Sequence, residues 1–288
     1  CAECGDACGR HVHTGDYDFG ARFNASDSST AETIACDDPG DYCRPRCDGS
    51  EPCPYKVSYS EGSTIEGHLE SDLVWVADAD GPRGVRARFG CATRETRLFY
   101  GQVADGITGL SGYLDSDTLL RVVFENTPSA SPIFSICLSD NVGALIIGGQ
   151  LPPGDNTSLP WVPMEASHHY VVQIAAFLLD GERLNGTMPT TALVDSGTTF
   201  TYLPENVYVP FRDRWLTSCP WSNCSAHLIK TKWLDDYCYA VEAASDIDTF
   251  ASYGVTLTED VRVDFGPRDY AYELRAGVWC LGFLQERG

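Results

Sequence analysis

Apolar residues in this chain fall in short runs, and Gly, Pro, Asp and Asn stand between the runs. The most apolar runs predict strands over 73–76, 85–89, 133–138, 145–147 and 170–179. Helical spacing is scarce. It predicts helices over 118–125 and over 205–216, the second opened by Pro204 as a start signal. Apolar and polar residues alternate on both sides of Ser60-Glu61-Gly62-Ser63, which predicts a β-hairpin over 55–69. The Pro- and Gly-rich stretch 148–163 reads as a linker. The chain is therefore expected to be mostly β, with few short helices.

One run ends in chemistry. Ala192-Leu193-Val194 delivers Asp195 into Ser196-Gly197-Thr198-Thr199, and a second run, Phe200-Thr201-Tyr202-Leu203-Pro204, follows. A glycine there permits a tight turn that brings amide N–H groups to the carboxylate. Those donors and the Thr198 hydroxyl would hold Asp195 ionised or share its proton. As a bare tripeptide Asp-Ser-Gly is an ordinary turn between strands. Two apolar strands delivering and leaving it make it a candidate acid–base group, provided it meets a second carboxylate.

Composition narrows the setting. The 288 residues are 43% hydrophobic, enough for one large domain or two moderate ones. No apolar run approaches the roughly 18 residues of a membrane-spanning helix. The first residues, CAECGDACGR, are polar and do not resemble a signal peptide, so a mature or truncated start is expected. Lys and Arg number 20 against 41 Asp and Glu, a net charge of −21. That balance argues against nucleic acid or an anionic membrane as partner. Thirteen cysteines are too many for a cytosolic domain of this size. Sequons stand at Asn24, Asn156, Asn185 and Asn223. Together they place the chain in the secretory pathway. The odd count leaves one thiol free or paired outside the chain. Cys1, Cys4, Cys8, His11 and His13 have a spacing that would suit zinc. Disulfides agree better with the rest of the chain, and neither a metal nor another cofactor is expected.

Taken in order, these segments resemble the pepsin-like aspartic endopeptidases, peptidase family A1. Asp195-Ser196-Gly197-Thr198-Thr199 resembles the family's second catalytic aspartate loop. Tyr59 with Gly62 and Ser63 resembles its flap. Phe89-Gly90-Cys91 and Asp105-Gly106-Ile107-Thr108-Gly109-Leu110 resemble segments of its N-terminal lobe. Phe134-Ser135-Ile136-Cys137-Leu138, Leu145-Ile146-Ile147-Gly148-Gly149 and Trp161-Val162-Pro163 resemble the inter-lobe stretch. The cysteine-rich start is most like the plasmepsin V-like and nepenthesin-like branches. The resemblance implies a bilobal, mostly β fold, with an N-terminal lobe over 1–155 and a C-terminal lobe over 156–288. It implies proteolysis of protein or peptide substrates by a carboxylate pair that activates water. Asp195 would be one partner, with Thr198, Thr199 and Ser196 around it and Tyr59 in the flap.

The family's first Asp-Thr/Ser-Gly loop has no counterpart here. The nearest lookalike, His13-Thr14-Gly15, has His in place of the acid and lacks a delivering strand. The final Ile-Leu-Gly segment expected after Trp279-Cys280-Leu281-Gly282-Phe283 is also missing. The expectation is a fragment incomplete at both termini and inactive by itself. Asp195, without a like-charged neighbour, should not have a strongly raised pKa. The chain is expected to be a monomer of the endoplasmic reticulum, vacuole or extracellular space, and any membrane anchor would lie outside it. The competing readings are a catalytically dead binding or inhibitor-like protein on the same fold, and a cysteine-rich adhesive or zinc-binding ectodomain.

Overall fold

The computed structural model describes residues 23–38, 43, 46–59, 62–76, 83–101, 104, 106–111, 118–127, 131–138, 143–148, 160–165, 167–218, 226–230 and 235–286. The Cys1, Cys4, Cys8, His11 and His13 cluster, Asp105 and most of the expected linker lie outside them. The chain divides into two compact units, Cys1–Gly154 and Asp155–Gly288.

In the first unit, β1 (Glu32–Thr33), β2 (Pro54–Ser58), β3 (Thr64–Val76) and β4 (Arg83–Glu95) form one antiparallel sheet. β3 is its spine. β2 and β1 lie end to end along one edge, opposite 64–68 and 70–71, and β4 runs along the other edge over the whole length. Strands 73–76 and 85–89 were legible because they are the apolar ends of two 13-residue strands. The remaining rungs carry polar pairs such as Lys56 with Glu66, whose ion pair spans 2.5 Å. α1 (Leu119–Asn126) is capped by Thr118, whose hydroxyl accepts the Arg121 N–H, and it buries Leu120 and Val123. Ile34, Cys53, Val85, Ala87, Cys91 and Phe99 are also buried. Disulfides Cys36–Cys47 and Cys43–Cys53 staple the segment before β2. β5 (Phe134–Cys137) and β6 (Ala144–Ile147) form a separate two-stranded sheet. Cys137 there is an exposed free thiol, in keeping with the odd cysteine count.

In the second unit, β7 (Tyr170–Leu179) pairs with β8 (Glu182–Arg183) and β9 (Thr191–Val194). β10 (Thr201–Leu203) leads into α2 (Glu205–Leu216). Then come β11 (Ala226–Lys230), β12 (Asp235–Ala240), β13 (Tyr253–Leu257), β14 (Arg262–Phe265), the short α3 (Pro267–Tyr270), β15 (Ala271–Arg275), β16 (Val278–Leu281) and β17 (Phe283–Gln285). The sheets run β14-β13-β7-β8, with β9 also on β7, and β11-β12-β16-β15, while β10 pairs with β17 in parallel.

The core of this unit is aromatic. α2 spaces Val207, Tyr208, Phe211 and Trp215 on one buried face. Trp215 meets Tyr239, Phe250 and Tyr270, and Phe211 meets Tyr253 and Phe283. Buried polar tips need partners. The Trp215 indole donates to the Tyr237 carbonyl at 3.1 Å, the Tyr253 hydroxyl to the Phe211 carbonyl at 2.8 Å, and the Tyr270 hydroxyl to the Ala251 carbonyl at 2.7 Å. Burial pushes the Tyr253 and Tyr270 phenols far upward, so both remain neutral donors. Cys238 and Cys280, directly opposed on β12 and β16, are joined by a disulfide.

Candidate active site

β9 delivers Asp195 immediately past its C-terminal end. The strand runs antiparallel to β7, with Val194 opposite Tyr170, so His169 precedes the residue facing the end of the strand. The chain then turns: the Thr198 N–H donates to the Asp195 carbonyl at 3.3 Å. On leaving the turn the Thr201 N–H donates to the Gly282 carbonyl at 3.2 Å, and β10 joins β17. The turn is thus anchored at both ends by strands of one unit.

Within it the carboxylate is held by its own neighbours. Asp195 Oδ1 accepts the Gly197 N–H at 2.8 Å, and Oδ2 accepts the Thr198 hydroxyl at 2.6 Å. Both bonds favour the charged form. The Thr198 hydroxyl, then the Gly197 amide, hold the Asp195 carboxyl below the usual carboxylate range; partial desolvation opposes them, and His169 adds a smaller electrostatic pull. His169 was not anticipated from sequence. Its signal is register, since a residue before Tyr170 can lie near the end of β9 only if those two strands pair.

Gly197 brings its N–H to the carboxylate and leaves room beside it. Its backbone is not in the left-handed region. A Cβ there would lie 3.2 Å from Asp195 Oδ1, crowding the oxygen that its own N–H contacts. Ser196 and Thr199 are exposed, and among the described residues their side chains make no hydrogen bond. Leu193, Val194 and Tyr202 are also more than half exposed, at 54%, 56% and 53%, so Asp195 stands on an apolar rim. A cavity of about 360 Å³ opens behind Thr199, Phe200 and Thr201, among Phe177, Phe211 and Tyr253, but Asp195 does not line it. Among the described residues no second carboxylate shares a hydrogen bond with Asp195.

Tyr59, Gly62 and Ser63 come together in the first unit, at the turn between β2 and β3. The Tyr59 N–H donates to the Ser63 carbonyl and the Gly62 N–H to the Tyr59 carbonyl, both at 2.9 Å. Gly62 has φ +91°, a conformation that side chains disfavour. Ser63 is fully buried. Its hydroxyl accepts the Leu98 N–H at 3.3 Å, and the Thr96 hydroxyl accepts the Thr64 N–H at 2.8 Å. The Tyr59 ring packs on Phe99, with centroids 5.2 Å apart. Thr96, Leu98 and Phe99 therefore support the hairpin. No local motif marks them, because they reach it from the far end of β4.

The family model for eukaryotic aspartyl protease matches residues 46–234, which include both the hairpin and Asp195. The chain is 25% identical over 281 residues to aspartic proteinase 36 of Arabidopsis thaliana, covering 91% of this chain and 55% of that protein. It is 28% identical over 260 residues to plasmepsin V of Plasmodium falciparum, covering 72% and 42% respectively. It is 34% identical over 185 residues to aspartic protease 5 of Toxoplasma gondii, covering 56% and 18%. The chain spans about half the length of the first two of these relatives.

Proposed function

The chain belongs to the eukaryotic aspartyl protease family, and from that premise we propose that it forms part of an aspartic-type endopeptidase with Asp195 as one of two catalytic carboxylates. The observation that carries this reading is the Asp195 turn. Its oxygens each accept one local donor, and the bonds keep the group ionised. An ionised carboxylate can take a proton from water as the water attacks a peptide carbonyl. A second, protonated carboxyl donates to the carbonyl oxygen, and the proton affinities belong to the pair. Thr198 and Gly197 hold the Asp195 oxygens in place, and Ser196 and Thr199 are free to meet substrate. The hairpin with Tyr59, Gly62 and Ser63 covers the substrate and excludes water.

The substrates are proteins or peptides. Disulfides such as Cys36–Cys47, Cys43–Cys53 and Cys238–Cys280 support a protein of the secretory pathway. Asn185, in an exposed sequon, is available for a glycan.

The reaction needs a second carboxylate, and these 288 residues contain no other Asp-Thr-Gly or Asp-Ser-Gly. The 288-residue chain alone is therefore expected to leave a peptide library uncut. A longer polypeptide that contributes a second such loop is expected to cleave it, to be blocked by a pepstatin-type transition-state mimic, and to lose at least about a thousandfold in rate with Asp195→Asn. Cleavage that survives Asp195→Asn would remove Asp195 from the mechanism. The single loop in the sequence favours one second reading, a catalytically dead binding or inhibitor-like protein. Tight binding of the mimic with no cleavage by the longer polypeptide would decide for it.

A further inference from the structure

The turn after β4 contains a backbone conformation that the peptidase reading does not use. Arg97 has φ +52°, in the left-handed region that long side chains seldom enter. Such a conformation persists only where neighbouring contacts over-determine it. Here they lie on both sides. Thr96 is bound to Thr64 through its N–H at 3.1 Å and through its hydroxyl, and Leu98 donates to Ser63 Oγ at 3.3 Å. Between these two clamps the Arg97 side chain lies over the hairpin turn. A Cβ on Gly62 would be only 3.0 Å from Arg97 Cζ and closer still to Nη1. The guanidinium thus packs against the one residue of the turn that has no side chain.

We infer that Arg97 is a positioning residue for the hairpin that carries Tyr59: its left-handed backbone sets the guanidinium against Gly62 and fixes the height of the turn. Thr96, Leu98 and Phe99 hold the root of the hairpin, and Arg97 holds its turn. Gly62 is then required twice, by its φ and by the group packed on it. The functional weight of this inference rests on the reading of the Tyr59 hairpin as the substrate cover.

The test is amide hydrogen exchange on the 288-residue chain with no substrate present. Asn tolerates the left-handed backbone but lacks the guanidinium. Arg97→Asn is therefore expected to speed exchange of the Gly62 and Tyr59 amides roughly tenfold, by local opening, while the β3–β4 ladder amides keep their rates. Arg97→Lys, which keeps a long cationic side chain over Gly62, is expected to restore most of the protection. Unchanged Gly62 and Tyr59 rates in Arg97→Asn overturn the inference. So does a uniform loss of protection across β3 and β4, which would make Arg97 a general folding residue, and so does an Arg97→Lys variant no better protected than Arg97→Asn. Because exchange is read without cleavage, a chain that cuts nothing still decides the role of Arg97. The peptidase reading stands or falls separately, on Asp195→Asn.

Discussion

Two segments, the Asp195 turn of the second unit and the Tyr59 hairpin of the first, are held in opposite ways. Asp195 is fixed by donors two and three residues away in its own turn. The Tyr59 hairpin is fixed by partners more than thirty residues away, through Thr96 and Leu98, and by the ring of Phe99. The surroundings differ in the same sense. The second unit rests on one aromatic cluster around Trp215, Tyr239, Tyr253 and Tyr270. The first uses smaller buried side chains, together with disulfides that staple the cysteine-rich segment ahead of β2. The contrast teaches that a carboxylate can be pre-oriented by its own turn, whereas the hairpin is positioned from elsewhere in the fold.

The contrast can be broken hardest at Trp215. Trp215 is fully buried among three aromatic rings. Trp215→Ala is expected to destabilise the second unit by about 3–5 kcal/mol. Denaturant unfolding followed by hydrogen exchange should show β7, β13 and α2 losing protection while the β2–β3 hairpin keeps its own. Equal loss in both units would show that the two are not independently held.

Removing the Cys238–Cys280 bridge by paired Cys→Ala substitution comes next. The bridge closes a loop with a sequence separation of 42. Its loss is expected to cost about 2–4 kcal/mol, read as a lower midpoint in urea. The hairpin in the first unit should again be spared.

Thr96→Val probes the other side of the comparison. It removes the acceptor for the Thr64 N–H and a hydroxyl contact to Thr64 Oγ1. A cost of about 1 kcal/mol is expected, with faster exchange of the Thr64 amide and no change at the Asp195 turn. Exchange that spread to Gly197 and Thr198 would contradict separate control of the two segments.

The smallest effect on stability is expected from Thr198→Val. The hydroxyl is the first cause of the depressed Asp195 pKa. Its removal should move that pKa up toward the ordinary carboxylate range, as followed by carboxyl NMR against pH. The sign follows from linkage. A depressed folded-state pKa adds stability that is present above the unfolded value and is lost as pH falls through the folded value. In Thr198→Val that acid-side loss should begin at a higher pH. An unmoved pKa would show that Gly197 alone holds the charge.

The sequence by itself determined the features encoded within a few residues. The Asp195 turn, the helices expected over 118–125 and 205–216 and the hairpin expected over 55–69 follow from spacings inside short windows, and each was legible there. An odd cysteine was legible by count, but that Cys137 is a free thiol among the described residues was not. Several strands of the second unit escaped notice: β12 begins Asp235-Asp236, β14 alternates Arg262 and Asp264 with apolar residues, and β15 carries Glu273 and Arg275. Arg262 pairs with Asp264 two residues along the same strand, and Glu273 accepts the Gly277 N–H in the turn that follows β15, so these strands carry charged residues that break an apolar pattern. Only the tertiary structure decided that Thr201 runs beside Phe283, that Cys238 faces Cys280, that Tyr59 rests on Phe99, and that Arg97 closes over Gly62. The physical reason is range. Backbone turns and helix faces are governed by neighbours in sequence, while register and packing join residues tens of positions apart, through contacts that exist only once the sheets have formed.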